Sequence, residues 1–399
     1  MEKVSFRIRK MQESATLKMT QISRELKNKG IDIISLSIGE PDFNTPDFVK
    51  EAAIEAINNN ITKYPPVAGY ESLQIAICKK LKEENNLSFD PKQIVVSTGA
   101  KHSLMNVILS IVDRGDEVII PAPYWVSYSE MVEFAEGTPV FVNCSSEQNF
   151  KITPQQLKEA ITPYTRAFLL NSPSNPTGML YTKNELKALT DILENYPNIT
   201  IISDEIYEYI NFIGKHESIA QFENIKDRVV VINGVSKGYA MTGWRIGYMA
   251  GPLYIAKAVT KLQGQFTSGA CSIAQKTAEA ALLGSENEKK IISKMTNTFK
   301  NRRDLVYSLL DIPGLNTKRP DGAFYFFPDI SNFLGKSYHG TIINNSDELA
   351  MSLLLNEHVA TVGGDAFGAP NCLRLSYATD EQSLKTALKR MRKYFSEII

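Results

Sequence analysis

The strongest constraint on this chain is an alternation of strand-like and helix-like segments through its middle. Short apolar runs recur as IVVSTG (94–99), DEVII (116–120), RAFLLN (166–171), NITIISDEIY (198–207), RVVVING (228–234) and RIGYMAG (245–251). Brief apolar runs bounded by Gly or polar residues read as buried strands. Between the first two, Leu104, Val107, Ile108 and Ile111 recur at helical spacing. TPQQ (153–156), TKNE (182–185) and SENE (285–288) each place a hydroxyl three residues before Gln or Glu. That spacing is a capping box, in which the two side chains satisfy each other's free amides at a helix start. The expected fold class is α/β: a large domain with a mainly parallel, mixed sheet between helices.

After Ser285 a long helical pattern runs to about Leu310. GAFYFFPDI (322–330), a helix from Ser346, HVATVGG (358–364), CLRLSYA (372–378) and a helix from Asp380 follow. These predict a smaller α+β domain. The N-terminal segment, with IDIISLSIG (31–39), is expected to pack against it. The expected divisions are 1–45, 46–295 and 296–399.

Charge narrows the partners. Lys plus Arg number 44 and Asp plus Glu number 44, so the chain has no net field for nucleic acid or anionic lipid. Cys78, Cys144, Cys271 and Cys372 form no C-x-x-C pair and read as thiols of a reducing compartment. The start, MEKVSFRIRKMQE, has no apolar core for a signal peptide, and no apolar run approaches a membrane span. A cytoplasmic location is expected. His102, His216, His339 and His358 show no ligand spacing, so no metal is expected.

In sheets of this kind ligands bind beyond the carboxyl ends of the strands. STGAKHSL (97–104) turns from strand to helix through Gly, which offers free amides and a positive dipole end to an anion. Alone, it is also an ordinary turn. NSPSNPTG (171–178) holds Asn175 in a loop stiffened by two prolines, or is simply a turn. Asp204 ends the run ITIIS; a buried carboxylate needs a partner, either a protonated ring nitrogen or a cation elsewhere in the fold. In VSKGYAMTGWRIGY (235–248), Lys237 sits between Ser236 and Gly238 with Arg245 nearby. Apolar surroundings and neighbouring cations lower a lysine pKa, and a neutral amine attacks aldehydes. A lysine nucleophile, phosphate donors, an acid for a pyridinium nitrogen and a fixed amide together match the needs of pyridoxal 5′-phosphate.

With these segments in order, the chain resembles the class I/II aminotransferases of fold type I, and among them the bacterial aspartate aminotransferases of the thermophile-like subgroup. The ordered landmarks are IGEPDFNTP (38–46), KYPPVAG (63–69), STGAKHSL, PAPYWVSY (121–128), NSPSNPTG, SDEIYE (203–208), VSKGYAMTGWRIGY and LRLSYA (373–378). The resemblance implies that Lys237 carries the cofactor as a Schiff base and, once displaced, shuttles the proton between the substrate Cα and the cofactor. It implies that Asp204 pairs with the pyridine nitrogen, that Tyr207 and Asn175 bond the ring's phenolic oxygen, and that Trp125 stacks on the ring. The phosphate falls to the backbone at Ala100 and Lys101, to Ser236 and Arg245, and to Tyr64 from a neighbouring subunit of a homodimer. Arg374 holds the substrate α-carboxylate, helped by Asn175 and the Gly39 amide.

The implied reaction moves the amino group of L-aspartate to 2-oxoglutarate by a ping-pong course. Lys101 is associated with the distal carboxylate of the substrate; the alternative is that only its backbone amide is used. Thr16 and the basic Arg7, Arg9 and Lys10 are expected near the substrate if the N-terminal segment closes, a route by which some relatives accept prephenate. Transfer from aromatic or other amino acids, and a carbon–sulfur lyase on the same scaffold, are the rival readings. GQFTSGACSIAQ (264–275) departs from the family tract, where only Thr267 and Ser268 fit, and this bears on the subunit interface.

Overall fold

The computed structural model describes residues 3–399. Its centre is a seven-stranded sheet of β1 (Ile94–Ser97), β2 (Glu117–Ala122), β3 (Thr138–Asn143), β4 (Thr165–Asn171), β5 (Thr200–Asp204), β6 (Val229–Gly234) and β7 (Gly247–Ala250). The spatial order is β1-β7-β6-β5-β4-β2-β3. All pairings among β2 to β6 are parallel, and β7 runs antiparallel to both its neighbours. The six apolar runs read from the sequence are all strands. The edge strand β3 was not among them. Its burial alternates between exposed and partly covered, and it holds Pro139, so its sequence, TPVFVN, lacks the continuous apolar signal of a central strand.

Successive residues of a strand point to opposite faces. Ile201, Phe168, Leu170, Val229 and Val231 enter one core cluster. Their neighbours Ile202, Leu169, Val230 and Ile232 enter another, with Leu104, Val107 and Ile108 of the helix Ala100–Ile111. Both faces are therefore covered by helices, which is why these strands read as unbroken apolar runs. The three capping boxes form as expected at Thr153, Thr182 and Ser285.

The smaller unit holds a three-stranded antiparallel sheet of Val362–Gly363, Leu373–Ser376 and Tyr325–Phe326, in that order. Ile34–Ser35 pairs in parallel with Val359–Ala360, and Met19, Ile33 and Leu36 share the small unit's core. Along the helix Glu286–Leu309, Ile292 belongs to the large sheet's core, whereas Met295, Phe299 and Val306 belong to the small unit's. Among the described residues no helix is long and apolar enough to cross a membrane.

Candidate active site

The carboxyl ends of β1, β4, β5 and β6 open into one cavity of about 280 Å³. Gly39, Ala100, Lys101, Trp125, Asn175, Asp204, Tyr207, Ser236, Lys237, Arg245 and Arg374 all line it. These segments are far apart in sequence, and the parallel sheet brings their ends to one edge. Arg245 reaches the same edge from the other direction because β7, which it precedes, is reversed. Of the cofactor and substrate residues implied by resemblance, Tyr64 lies outside the cavity; it is 94% exposed on the surface.

At the floor, Asp204 is buried at the end of β5. Tyr128 Oη donates to its Oδ2 at 2.7 Å and the Ile206 amide to its Oδ1 at 3.2 Å. Burial pushes its pKa up from the ordinary carboxylate range to about 6, against the pull of these two donors. No cation bonds this carboxylate among the described residues. It is therefore a buried acid that a protonated ligand would complete.

Lys237 follows β6, and its Nζ donates to the Gly39 carbonyl at 2.6 Å. The amine lies 5.8 Å from the Tyr207 ring centroid and 5.9 Å from that of Phe324. Burial lowers its pKa from 10.5 to about 8; Glu40 opposes the shift, and Arg245 and Arg374 add to it. The small, apolar surroundings read from the sequence do make a more nucleophilic amine. Gly39 was expected to offer its amide to a carboxylate; here its carbonyl holds the lysine.

The turn from β1 into the helix Ala100–Ile111 carries Gly99 at φ +85°, a conformation that favours glycine. The first amides of that helix have no partner within it and point to its N-terminal end. Arg245, itself left-handed at φ +56°, lies against this turn, with Nη1 donating to the Thr242 carbonyl at 2.8 Å. The packing leaves no slack: a Cβ at Gly247 would stand 2.1 Å from the Ala100 nitrogen. Gly247→Ala is expected to destabilise the chain by about 1–3 kcal/mol, read as a lowered thermal midpoint. An unchanged melt would mean that the turn can move.

Arg374 lies on the small unit's central strand, 1% exposed. Its Nη1 donates to Asn175 Oδ1 at 3.0 Å, and its Nη2 to the Ser37 carbonyl at 2.6 Å and to Thr16 Oγ1 at 3.5 Å. Among the described residues its Nε is buried without a partner. The rings of Tyr325 and Phe367 lie 4.7 and 4.9 Å from the guanidinium carbon. Among the described residues this buried guanidinium meets only neutral acceptors, a setting that suits an anion. Lys101 Nζ lies 5.1 Å from the Trp125 ring, and burial, then Arg245, lowers its pKa.

Several contributors were not singled out from the sequence. Tyr325 shares a 2.8 Å hydrogen bond with Tyr207 and stands under Arg374. Asn171 orders the loop, its Oδ1 accepting from the Asn175 amide at 2.8 Å and its Nδ2 donating to the Asp204 carbonyl at 2.9 Å. Tyr128 and Asn171 did lie within the quoted landmarks; Tyr325, in GAFYFFPDI, carried no signal beyond an apolar strand. Thr16 lines the cavity, whereas Arg7, Arg9 and Lys10 do not.

His216 gathers acids rather than other histidines. Its ligand atom and those of Glu205 and Glu208 lie within 4.8 Å of one another. Lys80 already bonds Glu208, joined by Asn85 Nδ2 at 2.8 Å, and Ser203, Ser218 and His216 bond Glu205. Burial lowers the His216 pKa, but Glu205 outweighs it and raises the balance. The cluster is a neutralised buried network behind Asp204, with its carboxylates taken.

Comparison with known proteins gives one family. The model for aminotransferase class I and II matches residues 31–391. An aspartate aminotransferase of Geobacillus stearothermophilus is 46% identical over 395 residues, 98% of each chain. A probable aspartate/prephenate aminotransferase of Rhizobium leguminosarum bv. phaseoli is 46% identical over 390 residues, 96% of each. The crystal structure of an aspartate aminotransferase from Rhizobium meliloti superposes with a TM-score of 0.96 at 41% identity, covering 100% of both chains. That of Thermus thermophilus, with maleate, gives 0.93 at 39% identity over 99% of this chain and 100% of that one. The sheet order, the helices on both faces and these full-length matches agree: the chain belongs to the class I and II aminotransferases and has their fold type I architecture.

Proposed function

We propose that this aminotransferase binds pyridoxal 5′-phosphate and moves the amino group of L-aspartate to 2-oxoglutarate, giving oxaloacetate and L-glutamate. The observation that carries the reading is one cavity that holds a lysine amine of lowered pKa, a buried acid and a buried guanidinium, the last two meeting no opposite charge among the described residues. The donor set fits the cofactor. Each of its unmet partners corresponds to one chemical group of the cofactor or the amino acid. When bound, the cofactor supplies an aldehyde for the amine and a protonated ring that accepts electrons released at the substrate Cα.

Lys237 Nζ, available as the free base, would hold the cofactor's aldehyde carbon and, once freed, would take the proton from the substrate Cα. Asp204 keeps the ring nitrogen protonated. Asn175 and Tyr207 would bond the phenolic oxygen, and Trp125 would stack on the ring. The amides of Ala100 and Lys101, with Ser236 and Arg245, hold the phosphate. Arg374, with Asn175 and Gly39, clamps the α-carboxylate and so fixes the direction of the Cα–H bond. Tyr64 completes the phosphate site of a second copy in a homodimer; its near-complete exposure supports that role. The unpaired Cys78, Cys144, Cys271 and Cys372 support a cytoplasmic enzyme. The domain limits we propose are 45 and 295, supported by the change of core along the long helix between Ile292 and Met295.

Adding L-aspartate alone to the loaded protein tests the reading. The visible absorption of bound cofactor is expected to give way to a near-ultraviolet band that 2-oxoglutarate reverses. A band indifferent to aspartate would overturn the donor assignment. A second substrate, prephenate as amino acceptor or an aromatic amino acid as donor, is favoured by the names of several relatives and by Thr16 beside Arg374. Lys101→Ala keeps the backbone amide, so it is expected to weaken acidic donors about tenfold or more, as for a lost bond to a charge, and aromatic donors little. Equal losses across donors would show that Lys101 does not read the side chain.

A further inference from the structure

Tyr128 is 1% exposed, in the first turn of the helix Ser127–Phe134. It touches two parts of the site at once. Its hydroxyl gives Asp204 the only side-chain hydrogen bond that the carboxylate receives among the described residues, at 2.7 Å. Its ring meets Trp125 edge to face, centroids 5.3 Å apart at 84°. We propose that Tyr128 is a positioning residue for the cofactor, orienting the Asp204 carboxylate and holding it anionic while it braces the Trp125 wall. The inference rests on the cofactor reading above.

The physical case starts from burial. Asp204 is buried, and among the described residues the Ile206 amide at 3.2 Å is its only other donor. Burial raises the Tyr128 pKa well above the ordinary phenol value, and Asp204 raises it further, so the hydroxyl stays protonated and donates. The remaining groups that face Asp204 cannot replace it. Glu205, next in the chain, opposes its charge; Lys237, after β6, favours it through space but bonds Gly39; Tyr207 bonds Tyr325. One hydroxyl therefore sets both the direction and the ionisation of the acid, and one ring ties that acid to the aromatic wall.

The sign of the pH effect follows. Asp204 binds a ring cation only as a carboxylate, so cofactor affinity is expected to fall as pH drops through about 6. In the free chain the raised pKa acts oppositely: its stabilising contribution is full below the unfolded pKa and is lost as pH rises through about 6. Tyr128→Phe removes the hydroxyl and keeps the ring. Equilibrium dialysis of pyridoxal phosphate against the parent, Tyr128→Phe, Asp204→Asn and the double variant, from mildly acidic to neutral pH, tests the proposal. Tyr128→Phe is expected to weaken binding about tenfold, as for a lost bond to a charged group, and to move the acid-side fall to higher pH. In the Asp204→Asn background it is expected to change nothing further. The same affinity and pH profile in Tyr128→Phe as in the parent would overturn the proposal, as would an equal loss in both backgrounds, the mark of a packing role. Failure of the parent itself to bind would overturn the cofactor reading and this inference together.

Discussion

Lys237→Ala is expected to lose covalently held cofactor and to slow transamination by about 10²–10⁴-fold or more. The amine's value comes from its surroundings. With the pKa lowered to about 8, roughly a quarter of the amines are neutral near pH 7.5, against about one in a thousand at the ordinary lysine value. Alanine removes both the nucleophile and the base that takes the Cα proton. It is expected to leave the fold intact, because among the described residues the side chain's one hydrogen bond goes to the Gly39 carbonyl. Borohydride reduction followed by peptide mass mapping checks the first consequence, with the cofactor mass on Lys237 in the parent and nowhere in the variant. Steady-state rates check the second. Substantial residual turnover would remove Lys237 from the mechanism.

Arg374→Met is expected to lower kcat/KM for aspartate by about a hundredfold to a thousandfold, the loss of two charge-assisted hydrogen bonds to the α-carboxylate. Its effect on stability should be small. The guanidinium is buried without a counter-ion, so methionine relieves a desolvation cost. Against that, the Asn175 side chain and the Ser37 carbonyl each lose a donor. Methionine also keeps apolar contact with Tyr325 and Phe367. Thermal melts beside kinetics separate the two effects. A collapsed melt would show that Arg374 holds the small unit together rather than holding substrate.

Most of the fold was legible because its signals are local. β4, β5 and β6 are covered on both faces, so each is an unbroken apolar run. The helix starts at Thr153, Thr182 and Ser285 are written in four residues each. The edge strand β3 escaped because one-sided burial dilutes the apolar pattern. The reversal of β7 escaped because strand direction leaves no mark on composition.

The cavity residues were legible in a different way. Lys237, Asp204 and Asn175 stand at strand ends in distinctive short contexts, and ordered resemblance added Trp125, Tyr207 and Arg374. Pairings across the chain were not legible. Lys80 on Glu208 spans 128 positions, and Tyr207 on Tyr325 spans 118. The amino-acid sequence by itself determined the alternating α/β plan, the helix caps and which residues stand at the strand ends that open into the cavity, since each depends on neighbours in the chain. The tertiary structure alone decided the partners: Tyr128 for Asp204, the Gly39 carbonyl for Lys237, and Asn175 with the Ser37 carbonyl for Arg374. Those depend on burial, and burial is a property of the packed whole, in which a group's charge, pKa and unmet bonds are set by residues far away in sequence.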